Sequence, residues 1–130
     1  MQDNHLFEYA IIRLVPLVER GEFINIGVGL YSSGHRFCDC QFQLDAERIN
    51  ALFKEVDIEL VQQYVHSFEK ICRGEKGGGP IAQLSMPERF RWLTASRSTI
   101  IQCSPVHIGY TQNPAKSLNR LFEEMVGFNL

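Results

Sequence analysis

"RGEFINIGVGLYSSGH", residues 20–35, is the stretch whose reading decides the fold. It sets Gly27 and Gly29 two apart inside an apolar run and follows them with serines. A loop that cradles a phosphate needs a strand before it and a helix N-terminus after it, because free N–H groups at the helix end hold the anion. Here the apolar residues recur with period two: Ile24, Ile26, Val28 and Leu30 on one side, Phe23, Asn25, Gly27, Gly29 and Tyr31 on the other. That is the alternation of a strand with one face on a core. Ser32 stands where a G-x-G-x-x-G loop needs its third glycine, and the next segment is another strand pattern. The stretch is therefore read as part of a β-hairpin, with "SSGH" as its turn. Glycine inside a strand marks a bulge or a close approach by backbone or ligand. A flat groove beside Asn25, on the face shared with Gly27 and Gly29, is the expectation.

The neighbouring segments extend the hairpin. "EYAIIRLVPLVE" is rich in β-branched residues and stops at Arg20-Gly21. "RFCDCQFQL" alternates Cys38, Cys40, Phe42 and Leu44 against Asp39, Gln41 and Gln43. Three strands with short turns make an antiparallel meander. Helices follow. Asp45 caps a segment with Ile49, Leu52, Phe53 and Val56 on one stripe. Asp57 caps a longer one carrying Ile58, Val61, Val65, Phe68 and Cys72, which Gly74 stops. "SMPE" reads as a capping box opening a short helix. "STIIQCSPVHIGY" predicts a fourth strand, and Asn113-Pro114 opens a closing helix with Leu118, Leu121, Phe122 and Met125. The expected fold class is α+β: a three-stranded antiparallel meander plus a fourth strand, with helices packed mainly on one face.

The totals agree with one domain over residues 1–130, with "GEKGGGP" at residues 74–80 as a flexible glycine-rich break inside it. The formal net charge of −2 argues against a general nucleic-acid binder. No apolar run approaches the ~18 residues of a membrane span. The start lacks a basic signal-peptide region, so a reducing cytoplasm and four free thiols are expected.

Cys38, Cys40, Cys103 and His107 could form a Cys₃His zinc set, but no C-x₂-C knuckle supports one and core thiols are the simpler reading. No metal or cofactor is assigned. His107 is a weak candidate for a proton-transferring group, since no nucleophile motif accompanies it. Glu123 and Glu124 read as the solvent face of the last helix. The notable polar concentration is "ERFRWLTASRST". Arg89, Arg91 and Trp92 belong to the residue types that dominate protein interfaces. Glu88 with Arg91 at i,i+3 would be the ordinary surface alternative. Arg97, Ser98, Thr99 and Gln102, with Arg20 and Asn25 from the hairpin, could hold an anion.

Two of these segments, "YAIIRLVPLVERGEFINIGVGLY" and "RFRWLTASRSTIIQCSPVHIG", resemble the bacterial family known as domain of unknown function 3037. The resemblance runs from about Tyr9 to Val126, and its most specific pieces are "RGEFINIGV" and "RSTIIQCSPVH". It implies a bacterial origin and a role beside a kinase-like partner of the persistence-toxin type, and it supplies no catalytic assignment. The leading expectation is a non-enzymatic protein-interaction or regulatory module. The alternative is a binding domain or enzyme for a phosphorylated or anionic small molecule, with Arg20, Asn25, Arg97, Ser98, Thr99 and Gln102 as its site. A sheet edge left open in the meander would allow a homodimer.

Overall fold

The computed structural model describes residues 3–127. Five strands form one antiparallel sheet: β1 (His5–Leu14), β2 (Ile24–Ser32), β3 (Phe37–Phe42), β4 (Ile101–Cys103) and β5 (His107–Thr111). The order is β3-β2-β1, and the outer edge of β1 is shared. β4 pairs with its C-terminal half, Ile12 to Leu14, and β5 with its N-terminal half, His5 to Tyr9. The expected fourth strand is thus two strands, broken at Ser104-Pro105. Proline has no N–H to give a ladder. Ser104 spans the break: its N–H donates to the Ile11 carbonyl, and its Oγ accepts from the Ile11 N–H, both at 2.8 Å.

Five α-helices complete the fold: α1 (Ala46–Leu52), α2 (Ile58–Arg73), α3 (Gly79–Ala82), α4 (Met86–Thr94) and α5 (Pro114–Met125). Their starts follow the sequence signals. Asp45, Asp57 and Asn113 each accept a backbone N–H at the cap, and Ser85 with Glu88 closes a reciprocal capping box. The glycine-rich segment at 74–80 winds into a 3₁₀ turn (Lys76–Gly78) and the start of α3. Gly74 and Gly79 sit there at φ of +66° and +81°, conformations that glycine alone adopts without strain.

Both faces of the sheet are covered. On one, Ile12, Leu14, Ile24 and Cys40 pack with Ile49 of α1, Val61, Val65 and Phe68 of α2, Ala82 of α3 and Leu93 of α4. On the other, Phe7, Val28 and Leu30 pack with Leu118 and Leu121 of α5. Most helices therefore lie on one face, with α5 opposite.

The register of the first hairpin corrects the reading of its glycines. Ile12 pairs with Gly27 but Arg13 pairs with Asn25, so the ladder shifts by one residue and Ile26 is the extra residue of a bulge. Asn25 is thereby turned to the α5 face, where its Nδ2 donates to the Met125 carbonyl at 3.1 Å. Gly27 faces the other way, and the Phe42 ring lies over it: a Cβ built there would meet the ring at 2.7 Å. The glycine serves a close side-chain approach, and the expected groove beside Asn25 is filled.

Candidate functional site

The seam between α2, α4 and β4 is open. Tyr64, Phe68 and Ile71 of α2, Trp92 and Leu93 of α4, and Ile101 to Cys103 of β4 line a cavity of 130 Å³. Its walls follow from sequence. Phe68 and Ile71 lie on the apolar stripe of α2, and Tyr64 stands at its margin. α4 buries Phe90 and Leu93 and so turns Trp92 outward. Trp92 keeps 40% of its surface exposed. The Arg97 guanidinium stacks over the indole, 4.1 Å from the ring centroid, and donates a hydrogen bond to the Trp92 carbonyl. A second, polar recess of 240 Å³ adjoins it, lined by Ser96, Arg97, Ser98, Gln102 and Cys103.

Four sequence candidates, Trp92, Arg97, Ser98 and Gln102, thus meet at one seam. The others do not. Arg20 is exposed, pairs with Glu22 at 2.9 Å and lines a separate cleft of 630 Å³ with Leu17 and Leu60. Asn25 lines a fourth, small recess beside Gln43 and Arg48. Thr99 donates its hydroxyl to the Ile101 carbonyl at 2.7 Å, a local turn contact. Of the six residues expected to hold an anion, Arg97, Ser98 and Gln102 share one recess, while Arg20 and Asn25 line others.

Arg89 and Arg91 also take structural partners. Arg89 lies against Gly74, with Nη1 donating to the Leu84 carbonyl at 2.9 Å. Arg91 reaches across to Glu8 of β1 at 3.1 Å rather than to Glu88, which is engaged in the capping box. His107 is exposed on β5 and stacks on Tyr9 with ring centroids 5.3 Å apart. The neighbouring Ser104 Oγ accepts from the Ile11 N–H and donates to the Pro105 carbonyl.

The cysteines fall into two places. Cys103 directs its thiol to the Leu93 carbonyl, and burial pushes its pKa up to about 12, so it stays protonated. Cys38 faces Cys72 of α2 instead. The Cys₃His set is not assembled, and among the described residues no group of three His, Cys, Asp or Glu side chains is arranged to hold a metal ion. Among those residues, too, no helix is long and apolar enough to cross a membrane.

Tyr64 is the wall that sequence reasoning missed. It stands three residues after Val61 and four before Phe68, so its spacing carried the signal. The exposure of Ile108 and Tyr110 on β5, at 66% and 68%, is not legible in a segment whose pattern reads as one strand with β4.

No curated protein and no solved structure matches this chain. A family model does match, over residues 9–126, which is nearly the whole chain and includes every wall of the Trp92 seam. The chain belongs to the family described as protein of unknown function DUF3037.

Proposed function

We propose that this chain is a non-enzymatic protein-interaction or regulatory module, and that the aromatic socket at Trp92 is its contact centre. The observation that carries the reading is the exposed indole, held by the Arg97 guanidinium at the mouth of an apolar cavity. Tryptophan, tyrosine and arginine around a small apolar pocket are the composition of an interface hot spot, where one apolar side chain of a partner is desolvated. The family resemblance supplies the partner class, a kinase-like protein, and the four free cysteines support a reducing cytoplasm as the setting. The test is titration of the purified chain against a kinase-like protein of the persistence-toxin type. Trp92→Ala should weaken binding by about 30-fold, the scale of a hot-spot residue. Unchanged affinity would remove the socket from the interface. Arg89 is unsuited to this test because its contacts are within the fold.

The alternative, a phosphorylated or anionic small molecule, is supported by the adjoining recess with Arg97, Ser98 and Gln102. Inorganic phosphate should then raise the melting temperature of the wild type and leave Arg97→Ala unmoved.

A second copy of the chain is the further partner that a specific observation favours. β5 pairs only with β1 among the described strands and presents Ile108 and Tyr110. Residues 105–112 carry no charge to discourage edge pairing. Two such strands related by a two-fold axis at Gly109 would set Ile108 of one against Tyr110 of the other. Tyr110→Lys should return such a dimer to monomer in sedimentation.

A further inference from the structure

We propose that Cys38 and Cys72 form a thiol pair that a hydroperoxide converts into a disulfide, tying edge strand β3 to the end of α2. The two sulfurs lie 3.7 Å apart, although the residues are 34 positions apart in the chain. A disulfide needs about 2.05 Å, so closure requires a movement of less than ~2 Å. The accessible partner is Cys38, half-buried on the edge strand, and Cys72 is fully buried behind it.

A cation stands beside the pair. Arg89 packs its guanidinium against Gly74, two residues beyond Cys72, and its charge acts on the Cys38 thiol. Its Nε is buried and takes no hydrogen-bond partner among the described residues. The hydrogen bond from Cys72, and then Arg89, hold the Cys38 thiol below its ordinary range despite burial. Bonds to its neighbouring thiols and burial push Cys72 the other way. Exposure assigns the roles: half-buried Cys38 on the edge strand attacks, and buried Cys72 resolves.

In the first step the Cys38 thiolate attacks one peroxide oxygen, the O–O bond breaks, and the other oxygen leaves as an alcohol after taking a proton. Cys38 is oxidised to a sulfenic acid and the peroxide is reduced. In the second, the Cys72 sulfur attacks the Cys38 sulfur, the S–O bond breaks, and the hydroxyl leaves as water with the Cys72 proton. Two thiols and one hydroperoxide give one disulfide, one alcohol and one water.

The experiment treats the full chain with hydrogen peroxide and maps its peptides without reduction. A Cys38–Cys72 linked peptide, lighter by two hydrogens, is expected in wild type and in the Cys103→Ser variant, and it should vanish with dithiothreitol. In Cys72→Ser the first step should stall, and dimedone should label Cys38. Linkage of Cys72 to Cys40 instead, or oxidation of Cys38 straight to sulfinic acid in the wild type with no linked peptide, would overturn the proposal. The wild-type map decides it even where a variant folds poorly.

Discussion

On one face of the sheet four helices share the cover, and on the other α5 does the work alone. The shared cover leaves a seam, the 130 Å³ cavity between α2, α4 and β4. The single helix closes Val28 and Leu30 under Leu118 and Leu121. The difference is geometric. One amphipathic helix laid on a sheet interdigitates along its length, whereas several helices of unequal length meet the sheet at ends and corners that cannot all be filled. Sites arise at such corners, and Trp92 stands at one.

The comparison can be broken most forcefully by truncating one side chain on each face. Phe90→Ala, which removes a fully buried ring stacked on Tyr31, should cost about 3–5 kcal/mol, and Leu121→Ala about 2–5 kcal/mol. Trp92 is the sole tryptophan and reports on the four-helix face alone. Its fluorescence and far-ultraviolet dichroism should follow one denaturant transition in both variants. Separate transitions in Leu121→Ala would mean that the two faces are independent units rather than halves of one.

A smaller effect sharpens the view of the shared β1 edge. Ser104→Ala leaves the Ile11 N–H, which the serine Oγ now satisfies, without an acceptor, and should cost about 1–3 kcal/mol in equilibrium unfolding. Cysteine, which keeps a weak acceptor there, should cost less. Loss of nothing in the alanine variant would show that the break between β4 and β5 needs no bridge.

The smallest effect concerns α4, which carries the socket. Hydrogen bonds from the Ser85 hydroxyl and then its N–H hold the Glu88 carboxyl below its ordinary value. Its folded-state pKa is thus depressed. The stability it contributes is present above the unfolded value of 4.5 and is lost as pH falls through the lower folded one. Glu88→Gln should flatten that acid limb of the melting curve slightly, and a curve unchanged in shape would remove the carboxylate from the cap.

Much of this was legible in the residues. The caps at Asp45, Asp57, Ser85 and Asn113 are local chemistry, and each begins its helix where the sequence places it. The strands were legible from alternation, but their breaks were not. The bulge at Ile26 and the split at Ser104 depend on which strand lies alongside, and period two carries no partner. One shifted residue moved Asn25 to the opposite face, and with it the expected groove. The first strand was read too far, to Glu19; it stops at Leu14, and a turn closed by the Gly21 N–H on the Leu17 carbonyl follows Pro16. Within the site, Trp92 and Arg97 were visible as residue types, while their stacking was not. The partner of Arg91 was hidden for the same reason: it finds Glu8, 83 positions away.

The divided edge of β1 also sets a timetable for synthesis. Residues 5–14 leave the ribosome about ninety residues ahead of their outer neighbours at 101–103 and 107–111. The hairpin with β2 can form early, but its outer edge stays bare until roughly a hundred further residues have been translated, several seconds at the ~5–20 residues per second of a ribosome. The nascent chain therefore carries an open strand edge throughout that interval. The sheet is complete only when β4 and β5 reach back to β1.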